Sequence, residues 1–168
     1  QSKDVPWYVA ERGEYGITGL DLVRAYLLED PGAVKILKPL GFGRGDLVIF
    51  GRYERKFENI RIAVPYYYKN FLGSGEIADY VRKRFGEYRL MEVSGSTEGF
   101  VSDMTADIGL DFTTFFLKSS KERQQTTLRS NGLVILDTIM PTEAVLIAKN
   151  KPEESFEQFE RILNDRCK

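Results

Sequence analysis

Tyr88-Arg89-Leu90-Met91-Glu92-Val93-Ser94-Gly95-Ser96-Thr97-Glu98 reads as a strand, a glycine turn and the opening of a helix near Ser96 or Thr97. A strand handed through a short turn to a helix is the building unit of α/β folds. The pattern extends both ways. Upstream, 75–86 places Ile77, Tyr80, Val81 and Phe85 on one helical face and Arg82, Lys83 and Arg84 largely on the other, a charge run that reads as a solvated face. Ahead of it, Ile60-Arg61-Ile62-Ala63-Val64 is a strand; downstream, Ala106-Asp107-Ile108-Gly109-Leu110-Asp111-Phe112 is the next one. Parallel neighbours need a crossover, and a helix usually provides it, so this alternation predicts an α/β protein with largely parallel sheets.

The flanks repeat the pattern. Asp4-Val5-Pro6 and Gly13 bracket a short helix with Val5, Tyr8 and Val9 apolar, followed by the strand Tyr15-Gly16-Ile17-Thr18. Leu20, Leu22, Val23, Leu27 and Leu28 recur at helical spacing up to Pro31-Gly32. Apolar runs at 34–40 and 47–50 are strands joined by Gly41-Phe42-Gly43-Arg44-Gly45, and 133–139 and 144–148 are the last strands. Phe156, Phe159, Ile162 and Leu163 give 152–167 the face of a closing amphipathic helix. The charged segment 52–59 marks a crossing. The expected organisation is two lobes, 1–53 plus 137–168 and an inserted 54–136, with ligands in the cleft at the carboxyl ends of the strands.

Composition narrows the chemistry. A chain of 168 residues, 42% hydrophobic, buries a real core. Its 24 basic and 25 acidic side chains nearly cancel, which argues against a polynucleotide partner. With no histidine and Cys167 as the single cysteine, histidine-based nucleophilic catalysis, imidazole-bound zinc and an internal disulfide are excluded. No apolar run approaches the roughly 20 residues that span a bilayer, and no signal pattern opens the chain, so the expectation is a cytoplasmic protein without a membrane partner.

Five segments could carry chemistry. Asp107 and Asp111, four apart on one expected strand, can face the same side and hold ribose hydroxyls or Mg²⁺; equally, one caps a helix while the other ends a strand. Thr126-Thr127-Leu128 opens a possible one-turn helix whose amides could meet phosphate, or is an ordinary capping pair. Ser94, Gly95, Ser96 and Glu98 offer close backbone approach and hydroxyls, or a capping box. Gly16-Ile17-Thr18-Gly19-Leu20-Asp21 lines a cleft or caps the second helix. The aromatic run Tyr66-Tyr67-Tyr68 with Lys69 could stack on a base and meet phosphate, although packing is the commoner use of such rings.

Taken in order, Asp4-Val5-Pro6 to Asp21, Leu40-Gly41-Phe42-Gly43-Arg44, Ser94 to Glu98, and Ala106-Asp107 through Asp111 to Thr126-Thr127 resemble the catalytic core of ATP phosphoribosyltransferase. The resemblance implies a two-lobed fold like that of periplasmic solute-binding proteins, with a central cleft. It also implies transfer of phosphoribosyl from phosphoribosyl pyrophosphate to N1 of ATP, with Mg²⁺ present, as the opening step of histidine biosynthesis. On that reading Asp107 and Asp111 begin the phosphoribosyl pyrophosphate signature and serve catalysis and metal. Thr126, Thr127, Ser94, Gly95, Ser96 and Glu98 would bind the sugar phosphate, and Arg44, Lys69 and Gly19 the nucleotide or its phosphates.

The resemblance further implies a homo-oligomer and, because only one helix is expected after Ala148, a short form with a regulatory subunit resembling a histidyl-tRNA synthetase, although a truncated long form would look the same. Two departures stand out: residues 115–125 replace the Thr-Gly pair that the family places before its final threonines, and the family's first strand with its Lys-Gly-Arg-like turn does not precede Gln1. The alternative is a non-catalytic two-lobed module that binds an anion or nucleotide.

Overall fold

The computed structural model describes residues 2–52, 59–114, 128 and 130–150. The two threonines 126 and 127, the 115–125 segment and the expected closing helix lie outside the described residues.

Local signals set the elements close to where the sequence puts them. Helix α1 (Val5–Arg12) stops at Gly13, whose left-handed backbone (φ 78°) lets its N–H close on the Val9 carbonyl, a turn that disfavours residues with a Cβ. Asp4 occupies the position before this helix but its side chain makes no cap bond. Strand β1 (Tyr15–Gly19), helix α2 (Leu20–Glu29), and strands β2 (Val34–Pro39) and β3 (Gly45–Gly51) follow. After β4 (Ile60–Pro65) come a 3₁₀ turn over the tyrosines, α3 (Lys69–Gly73), α4 (Glu76–Phe85), β5 (Tyr88–Val93), α5 (Thr97–Ser102) and β6 (Ile108–Thr114). Strands β7 (Val134–Thr142) and β8 (Ala144–Lys149) complete the described order.

The strands form a three-stranded sheet, β1-β8-β2, and a five-stranded sheet, β5-β4-β6-β3-β7. The expectation of largely parallel sheets is corrected. β4 is parallel to β5 and β6, but β8 is antiparallel to both its neighbours and so is β3. The alternation of strands and helices correctly signals crossovers: β1 and β2, joined through α2, run in the same direction. What it does not signal is that a strand from elsewhere in the chain wedges between them. β8 does this in the small sheet, and β3 does it between β6 and β7 in the large one. The chain therefore crosses between sheets at 40–44 and at Glu143.

Both faces of the large sheet are covered, which is why β3 reads as an unbroken apolar run. Leu47 and Ile49 join Ile62, Ile108 and Leu110 against Phe71, Val81 and Phe85 of α3 and α4. On the opposite face Val48 and Phe50 meet Ala63 and Val101 of α5. Val145 and Ile147 of β8 pack on Val9 and Val23 of α1 and α2.

Gly109 is the tightest fit in the central strand: a Cβ there would lie 2.4 Å from Cζ of Phe50, a ring only 2% exposed. Gly109→Ala should therefore cost about 1–3 kcal/mol by overpacking, lowering Tm by about 2–4 °C per kcal/mol for a chain of this size. Gly99 in α5 has nothing within 4 Å of its notional Cβ, so Gly99→Ala should be neutral or stabilise by up to ~1 kcal/mol. Thermal unfolding of the two variants beside the parent checks both signs.

Candidate functional site

An open cleft of about 540 Å³ lies between the two sheets. Its floor on the large-sheet side comes from the carboxyl ends of the parallel strands: Tyr67 and Tyr68 follow β4, Gly95 follows β5, and Asp111 and Phe112 lie on β6. The small-sheet side contributes Ser2, Lys3, Gly19, Asp21 and Leu22, and the two crossings contribute Gly43 and Ala144.

Asp111 is fixed from two directions. Thr97 Oγ1, fully buried at the start of α5, donates to Oδ2 at 2.8 Å, and the Phe112 N–H donates to Oδ1 at 2.8 Å. Burial pushes the Asp111 carboxyl above the usual range, and the nearby Glu98 charge adds to that push, while the hydrogen bonds from Phe112 and Thr97 pull in the opposite direction. A carboxylate held in place yet poorly solvated is primed to accept a hydroxyl donor or a cation that restores its solvation.

Asp21 faces the same cleft with both oxygens engaged. Thr142 Oγ1 donates to Oδ1 at 2.6 Å, the Tyr68 hydroxyl donates to Oδ2, and the Asp21 N–H donates to Thr142 Oγ1 at 3.0 Å. This carboxylate is 3% exposed, and its Oδ1 would lie 2.3 Å from any Cβ on Gly19, so the chain needs glycine there to let the acid fold back. Burial and the Asp21 charge push the Tyr68 hydroxyl far up. Tyr67 is pushed up to about 12 by burial, then by Asp111 and Asp21. The tyrosines therefore stay protonated donors in a negatively polarised corner.

The sequence candidates separate once placed. Asp107 does not share the site with Asp111. It sits just before β6, at the amino end of the parallel strands, with Oδ2 accepting from the Arg61 N–H at 2.8 Å and from Arg61 Nε at 3.4 Å. Four residues of strand, about 13 Å at ~3.3 Å per residue, separate it from Asp111, so periodicity puts the pair on one side but not in one place. Gly95 and Gly19 line the cleft. Ser94 and Ser96 are exposed, and Ser96 makes no cap bond; its hydroxyl donates to the Glu98 carboxylate instead of forming a capping box. Arg44 is exposed beside the lining Gly43, and Lys69 pairs with Glu92 at 3.5 Å, both half-exposed.

The reading of residue types missed Lys3, Thr97 and the buried placement of Asp21. Thr97 stood in a quoted segment but gave no sign that its hydroxyl turns inward; Lys3 gave no signal at all.

Among the described residues no three Asp, Glu, His or Cys side chains gather to hold a divalent metal. Mg²⁺, however, commonly needs only one or two carboxylates and completes its shell with substrate phosphates and water. Asp111 fits that lesser demand: the Thr97 and Phe112 donors leave part of the roughly four acceptor sites of a carboxylate open to a cation.

Residues 1–165 match the family model HisG, ATP phosphoribosyltransferase. The chain belongs to this family. The ATP phosphoribosyltransferase of Cereibacter sphaeroides is 32% identical over 170 residues, 87% of this chain and 64% of that protein. That of Sulfurisphaera tokodaii is 32% identical over 168 residues, 92% of this chain and 51% of its own. The chain thus spans about half to two thirds of the length of these relatives.

Among solved structures, the ATP phosphoribosyl transferase (HisG:HisZ) complex from Thermotoga maritima aligns with a TM-score of 0.68 at 21% identity, covering 98% of this chain and 72% of that one. The periplasmic VFT2 domain of Bordetella pertussis BvgS aligns at 0.52 and 13% identity, covering 95% and 63%. These likenesses bear out the two-lobed, periplasmic-binding-protein-like fold expected from the sequence. No helix among the described residues is long and apolar enough to cross a membrane.

Thr97→Val removes the hydroxyl that stabilises the charged Asp111, which should cost about 1.5–3 kcal/mol at neutral pH. Because burial has raised the folded pKa of Asp111, its uncharged form is the less costly one in the fold; the penalty of the variant should shrink as pH falls through that raised value. Urea unfolding of parent and variant at neutral pH and near pH 4 measures the difference at both ends.

Proposed function

We propose that this chain carries the catalytic cleft of an ATP phosphoribosyltransferase. N1 of ATP attacks C1 of phosphoribosyl pyrophosphate, an N–C bond forms, the C1–O bond breaks and pyrophosphate leaves with the electron pair, opening histidine biosynthesis. The observation that carries this reading is Asp111: a partly buried, oriented carboxylate at the carboxyl side of the strand that resembles the family's phosphoribosyl pyrophosphate signature.

The chemistry asks for little beyond that. Pyrophosphate is already a good leaving group, and the transition state is cationic at the sugar, so catalysis comes from positioning and from matching charge. The Asp111 carboxylate accepts from ribose hydroxyls and opposes the positive charge that develops at the sugar; Thr97 and the Phe112 N–H keep it aimed. Tyr67 and Tyr68, protonated throughout the neutral range, offer ring faces to the cleft and exclude water from its floor. Asp111 is the residue that would hold Mg²⁺, which would supply charge neutralisation for the leaving group. Thr126 and Thr127 remain the proposed holders of the 5′-phosphate, and the crossings at 40–44 and Glu143 the proposed boundary between lobes. Homo-oligomerisation and a regulatory subunit belong to the same proposal; the partnered state of the Thermotoga maritima relative supports the second.

Calorimetric titration with phosphoribosyl pyrophosphate, with and without Mg²⁺, tests the site without requiring turnover. The parent should bind saturably and in a Mg²⁺-dependent way. Asp111→Asn should weaken that binding at least tenfold, on the order of 1.4 kcal/mol, while the unliganded variant melts no lower than the parent because a desolvated charge has been removed. Asp107→Asn, altered at the far end of the strand, should bind within about twofold of the parent. Parent affinity in Asp111→Asn would reject its role.

A further inference from the structure

We propose that Lys3 is the phosphate-receiving cation of this cleft, the group that meets the phosphate chain of an organic polyphosphate. The proposal rests on the transferase reading for the identity of the ligand, but its physical basis is separate. Two carboxylates, Asp21 and Asp111, line the cleft, and a ligand carrying several phosphate charges enters against their field. The cations suggested by sequence do not offset it: Arg44 is exposed outside the lining and Lys69 is engaged with Glu92. Among the described lining residues, Lys3 is the one basic side chain.

Lys3 is also held where such a ligand would find it. The 3₁₀ turn Ser2–Asp4 that carries it is tied to β1 through the buried Thr18, whose hydroxyl donates to the Ser2 carbonyl at 2.8 Å. From there the ammonium reaches across the cleft and rests 4.7 Å from the Tyr66 ring centroid and 5.7 Å from that of Tyr67. Ring faces position a cation without neutralising it. A phosphate oxygen offers the same ammonium a shorter, charge-assisted bond, so the exchange from ring to phosphate favours the ligand.

The test compares the parent, Lys3→Met and Lys3→Arg by calorimetric titration with phosphoribosyl pyrophosphate, ATP and inorganic pyrophosphate separately, at two salt concentrations. Lys3→Met should lose at least about tenfold in affinity for pyrophosphate and for whichever substrate lays its phosphates on this residue, and its salt dependence should flatten. Lys3→Arg, which keeps the charge, should stay within about threefold. Matching thermal unfolding of the three proteins shows that the fold is intact.

Loss for ATP alone assigns the site to the triphosphate, loss for phosphoribosyl pyrophosphate alone to the diphosphate, and loss for both to a shared position. Unchanged affinity in Lys3→Met with every probe the parent binds overturns the proposal and leaves the transferase reading standing. A parent that binds pyrophosphate through Lys3 but neither substrate keeps the Lys3 assignment and overturns the transferase reading. A folded parent that binds none of the three overturns both.

Discussion

The Leu40 N–H donates to the Ala144 carbonyl and the Ala144 N–H to the Phe42 carbonyl, both at 2.9 Å, while the Gly41 N–H reaches the Glu143 carboxylate at 3.1 Å. These bonds pair the two points at which the chain passes between sheets. Neither crossing is a free linker, because each is fastened to the other. Asp21 adds a side-chain anchor at the same junction, taking one hydroxyl from Thr142 at the end of β7 and another from Tyr68 after β4. Gly43 and Ala144 of these crossings line the cleft, so the junction forms part of its wall.

The interior of that cleft runs against the ordinary preference for solvated charge. Asp21 meets the cost with hydroxyl bonds from Thr142 and Tyr68. Asp111 also has donors on both oxygens, yet burial still raises its carboxyl pKa. Donors thus reach both carboxylates; Asp21 ties the junction between the sheets, whereas Asp111 lines the cleft from β6. A group that the fold stabilises incompletely is the one a ligand can stabilise further.

The sequence showed which elements exist more clearly than how they meet. Helix ends at Gly13, Gly75 and Gly86 and the strand at 88–93 were legible because glycine punctuation and apolar periodicity are local signals. Strand direction was not, since β3 and β8 take their places between strands distant in the chain, and no local pattern encodes an insertion. The same limit governs the site. Asp111 was found through its neighbours in the signature, yet its distance from Asp107 depends on where β6 begins, one residue after that acid. Thr97 turns inward and Lys3 reaches the tyrosines only through tertiary packing. Family order, carried by several short motifs at once, identified the cleft better than any one of them.

The placement of β8 also bears on how the chain is made. Strands β1 and β2 both hydrogen-bond to β8 and not to each other. The residues that pair with them, Ala144–Lys149, leave the ribosome more than a hundred positions after Pro39. Throughout that interval a nascent chain carries two strands whose shared partner is missing, a situation that slows folding and invites association with other chains. The last described strand is therefore a timing element: until it is synthesised the small sheet has no centre, and half of the cleft has no wall.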